Sequence, residues 1–116
     1  MRIFHLCADR GVPANGAKGA SVHLRSLRGA LERAGHDVVG FAASSESNGS
    51  MTPPRWRPFE GLSDLFRAAD RLGAPDLVYE RYSLGALDGL SAARAFGCPF
   101  VLEANAPLFQ EAQRHR

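Results

Sequence analysis

Hydrophobic positions along the chain alternate between short apolar runs and longer stretches with helical spacing. Four apolar runs predict strands, at residues 2–7, 38–42, 77–79 and 100–102. Runs without polar alternation are typical of strands buried on both faces, as the strands of a parallel sheet are. A weaker edge strand is predicted near 55–57, within a loop rich in Ser, Gly and Pro that covers 44–58.

Three stretches between these runs have the spacing of amphipathic helices. The first helix has a single apolar stripe, made of Ala20, Leu24, Leu27, Leu31 and Ala34. Arg25, Arg28 and Glu32 are expected to lie off that stripe. The second helix is predicted over 62–72, and the third is predicted to start after an N-cap at Ser83 and to run to about Phe96.

The alternation of strands and helices predicts an α/β protein with a Rossmann-like parallel sheet and helices on both faces. With 116 residues, the chain 1–116 has the length of one domain. The connections between its parallel strands are expected to be right-handed crossovers. The residues after Leu102 look like the start of a further secondary-structure element, but the sequence ends before any residue that would terminate it. We therefore expect the N-terminal part of a longer, two-domain protein, the alternative being a small complete domain of flavodoxin-like size.

Composition and charge narrow the classes of partner. Apolar residues make up 45% of the chain, and its net charge of +2 comes from 14 cations interleaved with 12 acids, which does not favour nucleic-acid binding. No run of 18 apolar residues predicts a membrane span. Asp9 and Arg10 come where the apolar core of a signal peptide would continue, so secretion is not expected. Two cysteines that are too far apart to form a disulfide fit a reducing, cytoplasmic setting. Cys7 and Cys98 are predicted at opposite ends of the strands, as unpaired thiols without a metal.

The carboxyl ends of parallel strands are where ligands bind in an open α/β sheet. The loop after the first strand contains Gly16, Lys18 and Gly19 and opens a helix, so we predict that these three residues contact a phosphate or diphosphate. The other interpretation is that the two glycines only form the turn. A nucleotide-triphosphate loop is rejected, because Lys18 occupies the position of the required Ser or Thr.

Four further side chains are predicted to line a cleft at this edge. They are His23, Arg81, Glu103 and Asn105. Arg81 could hold a phosphate or carboxylate, or pair with Glu103. Glu103 is the one catalytic candidate, suited to proton handling or sugar hydroxyl binding, while the alternative is that Glu103 and Asn105 only tie down the loop. His5 lies mid-strand and is expected to be a core residue with its hydrogen bonds satisfied.

Together these segments resemble the N-terminal half of a glycosyltransferase family 4 (group 1) enzyme of the GT-B fold. The resemblance is carried by Lys-Gly-Ala-Ser-Val-His-Leu-Arg at 18–25, Leu-Glu-Arg-Ala-Gly-His-Asp-Val at 31–38, Asp-Leu-Val-Tyr-Glu-Arg-Tyr at 76–82 and Glu-Ala-Asn-Ala-Pro-Leu at 103–108. It covers most of residues 1–111, except the loop at 44–58.

The resemblance implies the acceptor-side domain of a hexosyltransferase that moves a sugar from a nucleotide-sugar donor with retention. It implies no metal and no cofactor, since the nucleotide sugar is a substrate. The acceptor would be a glycan, a lipid or a small molecule. Gly16, Lys18 and Gly19 would approach the donor diphosphate. Many members have a His shortly after the last strand, where this chain has Glu103 and Asn105.

Without its C-terminal half such a domain is expected to be inactive and to self-associate through the uncovered apolar face. Two other classes stay open. One is a nucleotide-dependent oxidoreductase domain, for which only Glu46 could supply the acid that a dinucleotide site needs after the second strand. The other is a non-enzymatic flavodoxin-like module.

Overall fold

The structure is a computed structural model, and it describes residues 1–17, 19–44, 55–83 and 85–104. Within these ranges the strands are β1 (Arg2–Cys7), β2 (Asp37–Ala42), β3 (Trp56–Pro58), β4 (Leu77–Arg81) and β5 (Phe100–Glu103). The helices are α1 (Gly19–Arg33), α2 (Leu62–Leu72) and α3 (Asp88–Phe96). The predicted edge strand is therefore present as β3, displaced by one residue.

The strands form one parallel sheet in the order β3-β2-β1-β4-β5. The chain builds outward from β1 to β2 and β3, and then returns to the opposite side of β1 for β4 and β5. The predicted α/β class with a Rossmann-like parallel sheet is confirmed.

Each face of the sheet carries its own core. Side chains of β1 alternate, so Phe4 and Leu6 lie on one face while Cys7 lies on the other. The Phe4 face packs against α2 and α3, through Leu65, Ala68, Ala92 and Ala93. The Cys7 face packs against α1 through Leu24. Helices therefore cover both faces, as predicted.

The buried side of α1 differs from the predicted stripe. Ser21, Leu24 and Arg28 are its buried residues, whereas Ala34 is exposed and lies beyond the end of the helix. The Arg28 guanidinium lies 4.8 Å from the centre of the Trp56 ring and donates to the carbonyl oxygens of Arg55 and Val38. A long arginine can be buried when its stem packs on an aromatic ring and its N–H groups find acceptors. The prediction that Arg28 lies off the buried face was wrong for this reason.

The start of α3 was also predicted wrongly. The helix begins at Asp88 instead of following Ser83. Gly85 has a φ of 78°, a left-handed conformation that interrupts a right-handed helix, and the N–H of Ala86 closes a turn on the carbonyl of Ser83. At the other end, Gly97 has a φ of 69° and terminates α3 where predicted.

Both cysteines are free, as predicted. Cys7 is buried at the carboxyl end of β1, and Cys98 precedes β5 at the other end of the strands. Burial raises the pKa of both thiols, so they behave as packed apolar groups. Among the described helices, none has the length and apolar character that crossing a membrane requires.

Candidate functional site

The candidate site lies at the carboxyl edge of the sheet, beside the point where the strand order reverses. At that point β1 is flanked by β2 on one side and β4 on the other, and the loops that follow β1 and β4 diverge. Such a reversal opens a crevice in doubly wound sheets, and ligands bind there.

The loop between β1 and α1 is held firmly by its own hydrogen bonds. Arg25 of α1 donates from Nη1 to the carbonyl oxygens of Ala14 and Gly16, at 2.8 and 2.6 Å. The N–H of Ala14 donates to the carbonyl of Ser44 at the end of β2, at 2.8 Å. Because the loop is tied to both neighbouring elements, it presents a preorganised surface at the start of α1.

The two glycines of this loop have different environments. A Cβ atom at Gly16 would lie 2.6 Å from Cγ of Pro13 and 3.3 Å from Oγ of Ser21, so Gly16 is required by the packing of the loop itself. A Cβ atom at Gly19 would meet no atom within 4 Å. Gly19 therefore opens onto free space at the first turn of α1, while Lys18 lies outside the described residues.

A polar cluster joins α1 to the last two strands. His23 donates from Nε2 to Oε1 of Glu103 at 2.7 Å, and the hydroxyl of Tyr79 donates to Oε2 of the same carboxylate at 3.2 Å. The Glu103 side chain is 16% exposed and that of His23 is 56% exposed. Burial and the negative charge of Glu103 raise the pKa of Tyr79 to about 12, so this phenol stays a donor. The cluster holds a carboxylate with two donors and keeps an imidazole ring accessible.

Arg81 lies at the same edge of the sheet, beside this cluster. It is the register partner of Glu103 on β5 and of Cys7 on β1, which puts it between the two strand ends. Its positive charge acts on the Cys7 thiol in the direction that lowers the thiol pKa, although burial outweighs it. Its guanidinium adds a cation to the edge that already carries His23 and Glu103.

The structure thus brings three of the predicted cleft residues, His23, Arg81 and Glu103, to one edge of the sheet. Gly16 lies in the loop before α1 and Gly19 is the first residue of α1, at the same edge. Asn105, like Lys18, lies outside the described residues. Whether these side chains bind a ligand stays a prediction.

A second acid, Glu80, lies beside this edge and was not predicted from the sequence. Glu80 is fully buried on the opposite face of β4, under the first turn of α3, with its carboxylate against Gly89. Neither of its oxygens has a hydrogen-bond partner within the described residues. Burial, with a smaller contribution from Asp88, raises its pKa from 4.5 to about 7. The signal was the alternation in β4, since Glu80 shares a face with the buried Val78.

His5 is buried as predicted, but its hydrogen bonds are not satisfied. Both ring nitrogens lack a partner in the part of the chain that the structure describes. The ring packs among aromatic rings, with its centre 5.4 Å from that of Trp56 and 5.5 Å from that of Tyr79. Burial, together with the positive charge of Arg28, lowers its pKa to about 4, so the ring is neutral. The expectation of a satisfied histidine was wrong because its neighbours on the sheet are apolar or aromatic.

Comparisons of the chain with protein-family models, curated proteins and solved structures return no match. In the described ranges no three His, Cys, Asp or Glu side chains are grouped as metal ligands would be.

Proposed function

We propose that the chain is the N-terminal, acceptor-side domain of a glycosyltransferase that uses a nucleotide-sugar donor. The observation that carries the proposal is the contact between His23 and Glu103, at 2.7 Å. It joins α1, which follows the loop that contains Gly16, to β5, which ends at Glu103. Both segments contain residues on which the resemblance to family 4 glycosyltransferases rests.

The cluster has the chemistry that a hydroxylated acceptor needs. A sugar hydroxyl both donates and accepts hydrogen bonds, and a carboxylate beside an imidazole offers both partners. Glu103 is oriented by Tyr79 and His23, so it is preorganised for this role. In the proposed reaction the Glu103 carboxylate takes the proton of the attacking hydroxyl as that oxygen bonds to the sugar carbon and the bond to the nucleoside diphosphate breaks. His23 donates to Glu103 and holds the carboxylate in place.

Positive groups at the same edge suit the leaving diphosphate. The N-terminus of α1 carries the helix dipole and its free N–H groups, and Gly19 leaves the approach open. Arg81 adds a guanidinium, and Lys18 is proposed to add a second cation. Charge that develops on a leaving diphosphate would be stabilised by these groups.

A dinucleotide-dependent oxidoreductase is the second candidate, because the strand order is the one that dinucleotide-binding sheets also use. Such a site needs an acid after β2 to bind the ribose. The described residues at that point, Ala43 and Ser44, have no carboxyl group, and Glu46 lies outside the described residues.

The two candidates are separated by NMR titration of the ¹⁵N-labelled chain with uridine diphosphate, guanosine diphosphate and NAD at millimolar concentration. We expect a nucleoside diphosphate to shift the amides of Gly19 to His23, of Arg81 and of Glu103, with a dissociation constant of about 1 mM. Glu103→Gln should weaken the shifts produced by a disaccharide acceptor, because the anionic acceptor for the hydroxyl is lost. Arg94→Gln, on the exposed side of α3, is the matched control and should change neither titration.

Tight binding of NAD with shifts after β2 would replace the proposal by the oxidoreductase. An absence of shifts at this edge with every nucleotide and every sugar would leave a non-enzymatic module, and the transferase proposal would be abandoned.

A further inference from the structure

A groove lies on the face of the sheet opposite to the His23–Glu103 cluster. It forms where α2 passes the edge strand β3, and its volume is about 260 Å³. It is lined by Arg57, Pro58, Asp64, Arg67, Ala68 and Arg71. We call this the arginine groove.

Local structure aligns the three arginines. Trp56 is buried on the α1 face, so the next residue of β3, Arg57, points to the α2 face. Arg67 and Arg71 are four residues apart on α2, so they lie one above the other on the same side of the helix. An edge strand and a helix thus direct their cations into one groove.

The described residues that line the groove do not balance its positive charge. The carboxylate of Asp64 is engaged at the start of α2, where it accepts from the N–H groups of Glu60 and Gly61 at 2.7 and 3.2 Å. Among the described residues, no hydrogen bond or ion pair engages the guanidinium groups of the three lining arginines. Three cations and one carboxylate leave a net charge of two positive.

This arrangement works against stability. Arg67 and Arg71 are like charges four residues apart on α2, and such a pair repels. An anionic ligand would neutralise the repulsion among these arginines, which gives a reason for their grouping in one groove.

We propose that the arginine groove binds the phosphate group of a phosphorylated small molecule. A phosphate monoester carries nearly two negative charges at neutral pH and presents three acceptor oxygens. Guanidinium groups match phosphate oxygens in a two-pronged geometry. The groove is smaller than the roughly 300–1,000 Å³ of whole-ligand pockets, so it holds the anionic group rather than an entire nucleotide. This site is separate from the proposed sugar-transfer site and does not depend on it.

The test titrates the ¹⁵N-labelled chain with inorganic phosphate and with glycerol 3-phosphate, at constant ionic strength set with chloride. We expect saturable shifts confined to Arg57 and to 64–71. Arg67→Gln and Arg71→Gln should each weaken phosphate binding about five- to tenfold. Arg94→Gln, an exposed arginine on α3, is the control and should bind as the original chain does.

Thermal unfolding of the same variants excludes a structural explanation. Removing one of two like charges should leave the melting temperature unchanged or slightly higher, so weaker binding cannot be attributed to misfolding. The proposal is overturned if phosphate gives no saturable shift in the groove, or if the control variant weakens binding equally. It is also overturned if only phosphatidic acid vesicles or a single-stranded RNA bind, since the occupant would then be a membrane or a nucleic acid.

Discussion

Two buried ionisable residues, His5 and Glu80, lie on opposite faces of the sheet without hydrogen-bond partners among the described residues. Burial favours the neutral form of each, so it lowers the pKa of His5 to about 4 and raises the pKa of Glu80 to about 7. The two shifts make stability depend on pH in opposite directions.

The sign follows from which state binds more protons. Between pH 4.5 and about 7, folded Glu80 holds a proton that the unfolded chain has released, so stability falls as pH rises. Between about pH 4 and 6.5, the unfolded chain protonates His5 and the folded chain does not, so stability rises with pH. The two effects oppose each other up to pH 6.5.

Glu80→Gln should therefore change the pH profile of stability. In the variant, stability no longer falls above pH 4.5, so the increase of stability with pH that His5 causes becomes visible. At pH 8 it should be more stable than the original chain, by on the order of 2 kcal/mol. Urea unfolding at a series of pH values measures this. Parallel profiles for the two proteins would show that Glu80 titrates normally.

For single residues, a position directly after a strand was predictable from the sequence. Burial that depends on the alternation of side chains within a strand was not recognised. Glu103 was singled out because it comes after an apolar run. Glu80 was not selected, although it lies two residues after the apolar Val78 and therefore on the same, buried face of β4. The burial of Arg28 was not predicted because it depends on Trp56. That residue is 28 positions away in the sequence, and β3 places it beside α1.

At the scale of elements, two glycines near the start of α1 have different surroundings. Gly16 in the preceding loop is closely packed, and Gly19 at the first position of the helix is open. A Cβ atom at Gly16 would meet Pro13 and Ser21 closely, whereas a Cβ atom at Gly19 would have no neighbour within 4 Å. Replacing each glycine by alanine tests the two roles independently.

Gly16→Ala should destabilise the fold by about 1–3 kcal/mol, because the new methyl group collides with a rigid proline ring. Gly19→Ala should change stability by less than about 1 kcal/mol and in the stabilising direction, since alanine favours helix more than glycine does. Thermal unfolding monitored by circular dichroism compares them.

Under the proposed function Gly19→Ala should also weaken nucleoside diphosphate binding, since the methyl group occupies the approach to the helix N-terminus. Equal destabilisation by the two substitutions would mean that the loop packs differently from the arrangement described.

Strands and helix ends were predictable where local signals agree. The bounds of α2 match the spacing of its apolar residues, and β1 matches its apolar run. The start of α3 was not predictable from Ser83 alone, because a cap is one of several roles for a serine and the turn through Gly85 intervenes. The order of the strands needed the structure, since apolar runs do not specify their neighbours.

For the whole molecule, the edge strand β5 carries exposed apolar side chains. Val101 and Leu102 are 41% and 47% exposed. Exposed apolar edge strands pair readily with another chain. We expect the chain to self-associate through this edge.

Val101→Lys should shift sedimentation equilibrium toward the monomer, because a lysine in an edge strand opposes pairing. Leu72→Lys, which replaces an exposed apolar residue at the end of α2, is the matched control and should leave association unchanged. A monomeric original chain at high concentration, or equal effects of the two substitutions, would contradict the prediction.

The fold class was predictable, while the order of the strands and the function of the protein were not. The alternation of apolar runs and helical spacing predicts a parallel sheet, but the same strand order supports unrelated chemistries. The choice between them rests on particular side chains, above all His23 and Glu103, whose contact spans 80 positions in the sequence.

That separation has a consequence for how the molecule is made. During synthesis the ribosome releases α1 long before β5, so His23 emerges without its carboxylate partner. Closing so long a loop is entropically costly until the last strand docks. We therefore expect the polar edge to form only once β5 has docked, and a nascent chain that stops short of Glu103 lacks the cluster.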